Sequence, residues 1–178
     1  MNPRPAIAAV AVALALLGAG CRAGLPDDVA RLDYVDRQHR FAVNLPDGWS
    51  RRESADNPFL VVMGPGPDDA VRPSLNVVVL PRQAVGDIDE MVARTRSQLE
   101  TFAGFEAVSE ETRQLAGGHA ARVVTFRQDA FEVPLKQRQM YVIAADRAYT
   151  VTATAGADTF ADNENAFEVC LKSFRVGW

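Results

Sequence analysis

Between Glu106 and Ala155, apolar and polar residues alternate with a period of two through four successive runs. That repetition confines this part of the chain to strands, and the short breaks between runs make them an antiparallel meander. Glu106 to Leu115 is polar and reads as an edge strand. Gly117-Gly118 supplies a hairpin turn into Ala120–Phe126, which carries Val123 and Val124. Leu135 to Ala144 alternates around Met140, Val142 and Ala144. Asp146-Arg147 then turns the chain into Tyr149–Ala155, with Tyr149, Val151 and Ala153 on one face and Thr150, Thr152 and Thr154 on the other.

The upstream half supplies three further strands and a helix. Phe41, Val43 and Leu45 alternate with Ala42 and Asn44, and Pro46-Asp47-Gly48-Trp49 forces a turn that returns Trp49 to the core. Phe59–Met63 is a short apolar run, and Leu75–Leu80 is a β-rich run stopped by Pro81. The Gly64–Pro73 loop between them is stiffened by Pro65, Pro67 and Pro73, which makes it a candidate recognition loop as well as a plain connection. Asp87 and Glu90 have the spacing of a capping box. Ile88, Met91, Val92, Thr95, Leu99 and Phe102 then form one helical stripe. A second helix is expected from about Asp158 to Phe174, burying Phe160, Phe167, Leu171 and Phe174. Its early acids, Asp158, Asp162 and Glu164, suit the positive end of a helix dipole.

The N-terminus reads differently. Arg4 precedes an unbroken apolar run, Ala6–Leu17, whose length suits the roughly 7–15 residues of a signal-peptide core. It falls short of the ~20 residues needed to span a bilayer. Small residues follow, and then Cys21. Leu17-Gly18-Ala19-Gly20-Cys21 resembles a bacterial lipobox, in which a leucine, two small residues and the acylated cysteine follow in order; here Gly18 displaces the leucine by one position. The expected organisation is a lipoprotein signal peptide over residues 1–20, a tether over 21–37, and one domain over 38–178. Cys21 is the expected lipidation site. A plain signal peptide cut nearby is the alternative. With two or three acyl chains on Cys21 the anchor would be firm, because one chain alone holds only marginally.

The whole chain has 178 residues and a formal net charge of −4. No basic stripe stands out, which argues against a nucleic-acid partner. Acylation of Cys21 would leave Cys170 the only thiol, on an apolar helical face where burial makes it inert. A Cys21–Cys170 disulfide is open only if acylation does not occur.

Phe41-x-Val43-x-Leu45-Pro46-x-Gly48-Trp49, the single helix and meander after it, Tyr149-x-Val151-Thr152-x-Thr154-Ala155, and a closing helix with Ser173-Phe174 resemble the PsbP-like superfamily, which includes DcrB-type bacterial lipoproteins. The resemblance covers about residues 38–177. It implies an α+β fold, an antiparallel sheet flanked by helices in an α/β/α sandwich. It also implies a non-catalytic accessory or binding role, as in an extrinsic photosystem II subunit, a Ran-binding import factor and envelope lipoproteins. No catalytic residue comes with it.

Motifs for chemistry point the same way. The chain has no Gly-x-Ser-x-Gly elbow, phosphate loop, His-Glu-x-x-His or Cys-x-x-Cys. His39 and His119 read as exposed residues flanking turns. The acids at 158, 162 and 164 lack the spacing and glycine of a calcium loop. No catalytic, cofactor or metal residue is therefore expected. The leading expectation is a lipid-anchored envelope protein that meets a protein partner, facing the periplasm or cell exterior. Arg22 after the cysteine favours an outer membrane where the cell has two. One alternative is a carrier of a small apolar ligand in a cavity between sheet and helix. Another is a hydrolase built on His39 or His119.

Overall fold

The computed structural model describes residues 24–52, 60–67, 71–130 and 133–178. Among the described residues, ten strands form two antiparallel sheets. The larger runs β3 (Ser50–Arg52), β4 (Leu60–Met63), β5 (Ser74–Pro81), β9 (Arg147–Gly156), β8 (Val133–Ala144), β7 (Ala120–Ala130) and β6 (Glu106–Gln114) in spatial order. The smaller runs β1 (Tyr34–Asp36), β2 (Phe41–Val43) and β10 (Arg175–Val176). β6–β9 form the expected meander, with polar β6 at the sheet edge. Gly117 and Gly118 take positive φ at the β6–β7 turn, where a side chain would be strained.

Period-two alternation sends each strand's side chains to two different cores. Leu75, Val77, Val123, Met140, Val142, Tyr149 and Val151 share one core with Phe41 and Val43 of the small sheet and with Cys170, Leu171 and Phe174 of α3 (Glu164–Ser173). Val124, Phe126, Tyr141 and Ala148 point the other way, onto Met91 and Val92 of α2 (Ile88–Leu99). The large sheet is thus sandwiched between α2 on one side and α3 with the small sheet on the other. The capping box forms as expected: Glu90 N–H donates to Asp87 Oδ1 at 2.8 Å and Asp87 N–H to Glu90 Oε2 at 3.2 Å. Trp49 returns as expected and meets Phe167 edge-on, ring centroids 5.8 Å apart.

Three local expectations are corrected. The expected 21–37 tether is folded in its second half. α1 (Asp27–Ala30) buries Val29, and β1 pairs with β2. Ala42 explains the packing. It points away from the core that takes Phe41 and Val43, yet is fully buried. Its β10 partner Arg175 reaches Asp28 Oδ2 at 3.4 Å, which lays α1 over the outer face of the small sheet. Phe102 leaves the α2 stripe and is exposed, because the helix ends at Leu99 and tightens into i→i+3 bonds from Thr101 and Phe102. The second helix begins later than expected. Residues 161–163 form a 3₁₀ turn before α3, although Phe160, Phe167, Leu171 and Phe174 are all buried as anticipated.

Candidate functional site

Cys21, the expected lipidation site, lies outside the described residues, as does the rest of the expected signal peptide. Only residues 22–26 separate it from α1. The six Cα steps from Cys21 to Asp27 reach about 20 Å at full extension. Cys170 is fully buried among apolar side chains, and burial pushes its thiol up to about 12. The Gly64–Pro73 loop is stapled at its base. Gly64 N–H donates to Pro73 O at 2.8 Å, and Arg72 donates to Gly64 O. Residues 68–70 at its tip lie outside the described residues. Among the helix-3 acids, Glu164 pairs with Arg138 at 2.6 Å, and no group of three or more His, Cys, Asp or Glu converges among the described residues.

The two histidines are half-buried, not exposed as expected. Asp36 holds His39 twice, accepting from its backbone N–H at 2.8 Å and lying 2.9 Å from Nδ1. The carboxylate thereby fixes the tight β1–β2 turn. His119 packs against Gly177, where a Cβ would sit 3.3 Å from its Nε2. Gly177 in turn donates to Arg40 O at 3.2 Å, so the C-terminal tail runs between the two histidine turns.

The His39 turn borders a cleft of about 350 Å³, shared with Leu80 and Gln83 and with Asp146 and Arg147 of the β8–β9 hairpin. Its walls are cross-tied. Arg147 donates to Gln38 O at 2.6 Å. Tyr149 Oη donates to His39 O at 2.9 Å, and burial pushes that phenol up to about 12, so it remains a donor. Arg40 and Ala145, both with positive φ, stand on the two turns that flank the cleft. Such strain persists only where surrounding contacts over-determine it. For Arg40 those contacts are visible: its Nε donates to Trp178 O at 2.5 Å. The described lining contains no Ser, Thr or Cys. The cleft can offer hydrogen bonds and an Arg147–Asp146 pair, 3.7 Å apart, to something that docks.

The space between sheet and α2 is also informative. Val92, Leu99, Phe105, Phe126 and Tyr141 close it to about 10 Å³. That is at or below the size needed for one water. The expected carrier cavity between sheet and helix is filled at α2 by these side chains.

Sequence reasoning missed Arg147 because its role depends on which turns meet in space, and Asp36 because a three-residue strand has no period that would set it beside His39. The Asp146-Arg147 turn was the available signal for the hairpin, but not for its neighbour.

The architecture is a PsbP-like α+β fold, as the resemblance implied. No family model and no curated protein matches the chain by sequence. Solved structures do match in shape. LpqN of Mycobacterium tuberculosis, described as involved in cell envelope biogenesis, superposes with TM-score 0.63 at 18% identity, over 78% of this chain and 83% of LpqN. Cyanobacterial PsbP (CyanoP) from Synechocystis sp. PCC 6803 gives 0.59 at 15% identity, over 80% and 90%. PA94 of Pseudomonas aeruginosa, a protein of unknown function, gives 0.54 at 16% identity, over 67% and 91%. At these identities the likeness is one of fold.

Proposed function

We propose that the chain is a lipid-anchored protein of the bacterial cell envelope that acts as a non-catalytic interaction module. The observation that carries this reading is the Leu17–Cys21 lipobox standing only residues 22–26 ahead of packed α1. An acyl anchor at Cys21 would hold the domain within about 20 Å of the bilayer, too close for free tumbling. It would turn the small-sheet side toward the lipid, because α1 covers that sheet's outer face. α2 and the far face of the large sheet would then look into the envelope. The shared fold with LpqN, whose description places it in cell envelope biogenesis, supports the same compartment. The cleft between the His39 turn and Arg147 is the contact assigned to an envelope protein partner, since its walls are rigid and carry hydrogen-bonding groups.

Crosslinking in intact cells tests this reading. A reproducible partner should be captured by the wild type, and Arg147→Ala should reduce its yield several-fold without changing membrane fractionation. Recovery of abundant bystanders alone, with equal yield from the variant, would reject the interaction role.

A further inference from the structure

β1 and β3 are the outer strands of the small and the large sheet, and one contact joins them: the Arg51 guanidinium lies 5.1 Å over the centre of the Tyr34 ring. Four exposed arginines stand on or beside this joined edge. Arg51 and Arg52 are on β3. Arg37 directly follows β1, and Arg31 is the C-cap of α1, just ahead of β1. None of the four has a carboxylate within ion-pair distance among the described residues.

Elsewhere the chain treats arginine differently. On α2 and β6–β8, Arg96, Arg113, Arg122, Arg127 and Arg138 each meet an acid. The acids near the β1–β3 edge are mostly engaged by other groups. Asp28 faces Arg175 of β10, Asp33 accepts from Leu45 N–H, and Asp36 holds the His39 turn. Asp27 and Asp47 are the exposed acids of this segment without such a partner among the described residues. The edge therefore presents four guanidinium forks that no carboxylate of the described chain occupies.

We propose that this edge binds the phosphate headgroups of the bilayer that holds the anchor, and so fixes which way the domain stands on it. A guanidinium fork matches two phosphate oxygens at once, which an ammonium cannot do. The field of an anionic surface fades within roughly 10 Å at 0.1 M salt, so arginines gain from it only where the chain is brought close. Residues 22–26 bring it close, because they lead from Cys21 into the helix that Arg31 caps. An acidic protein would offer similar charge, but the anchor supplies the lipid surface itself. A basic edge also provides the second membrane signal that makes acyl anchoring firm. The inference rests on the reading of Cys21 as the lipid anchor.

The test uses the protein as processed by its host, placed on vesicles of phosphatidylcholine alone and of phosphatidylcholine mixed with phosphatidylglycerol. Phenylglyoxal modification of each arginine is followed by peptide mass spectrometry. Arg31, Arg37, Arg51 and Arg52 should react several-fold more slowly on the anionic vesicles than on the neutral ones. Raising the salt to ~0.5 M should remove the difference. Arg94, exposed on α2 and donating only to Ala84 O, should react equally on both. Arg52→Gln, checked for an unchanged thermal midpoint, should weaken the protection of Arg51. Equal rates on the two vesicles, protection that survives salt, or equal protection of Arg94 overturns the proposal. So does protection in intact cells that anionic vesicles do not reproduce, which would assign the edge to an acidic macromolecule. Flotation with neutral vesicles reads the acyl anchor by itself. A chain that floats only with anionic vesicles, its four arginines protected, would defeat the anchoring reading alone. One that floats with both, its arginines reacting equally, would defeat this inference alone.

Discussion

Asp28 on α1 lies 3.4 Å from the Arg175 guanidinium on β10, and this contact closes a four-residue helix over the fully buried Ala42. A helix so short has no independent stability. It is held by that ion pair and by Val29, which is 3% exposed. Val29→Ala removes two buried methyl groups at about 0.8 kcal/mol each, so denaturant unfolding should show a loss of about 1.5 kcal/mol. Amides of β1 should exchange faster in the variant. An unchanged midpoint with unchanged exchange would mean that α1 is not packed as described.

Alkaline pH should destabilise the fold. Burial pushes Cys170 up to about 12 from 9.0, and Tyr141 and Tyr149 up to about 12 from 10.0. Each folded-state pKa lies above its unfolded value, so the neutral form is the one the fold favours. Their contribution is complete below about pH 9 and is lost as pH rises toward about 12. The urea midpoint should fall across that window. Cys170 should also resist a thiol reagent at pH 8 until denaturant is added.

The acid side turns on Glu168. Its burial opposes ionisation, but the hydrogen bond and charge of Arg113 and the charge of Arg138 outweigh it and hold the carboxyl below the ordinary 4.5. The bonds are 3.0 Å to Arg113 and 2.9 Å to Arg138. A lowered folded-state pKa contributes stability above the unfolded value and loses it as pH falls through the folded one. Glu168→Gln should therefore lower the midpoint at pH 7 and flatten its decline below about pH 4.5. Parallel pH profiles for variant and wild type would contradict the assignment.

Which elements could be read from the chain follows from how local their causes are. α2 was legible because Asp87 and Glu90 cap it within one turn and its stripe has helical spacing. The β6–β7 hairpin was legible because only glycine suits its two positive-φ positions. α1, β1, β3 and β10 were not, since each has two to four residues and no period to detect. β1 exists because Asp33 accepts from Leu45 N–H at 2.9 Å and because Tyr34–Asp36 finds β2, contacts that no window of sequence contains. The threonine face of β9 was visible in the sequence, but its amide partners from β5 and β8 needed the register. Arg147 reaches the Gln38 carbonyl on the His39 turn for the same nonlocal reason.

The short leash makes a geometric claim. Inserting about 20 Gly/Ser residues between Ala23 and Gly24 would let the domain drift roughly 25–30 Å from its anchor. Gly24 has open space around it, so the thermal midpoint should not move. Crosslinking yield to a membrane-embedded partner should drop several-fold. An undiminished yield would show that closeness to the bilayer is not used.

The central claim is anchoring at Cys21, and the intact mass of the membrane-extracted protein tests it most directly. The account predicts a chain that begins at Cys21, lacks residues 1–20 and carries two or three acyl chains, with Cys21→Ser moving the protein to the soluble fraction. A mass matching an unmodified N-terminus, or a serine variant that stays on membranes, would contradict it.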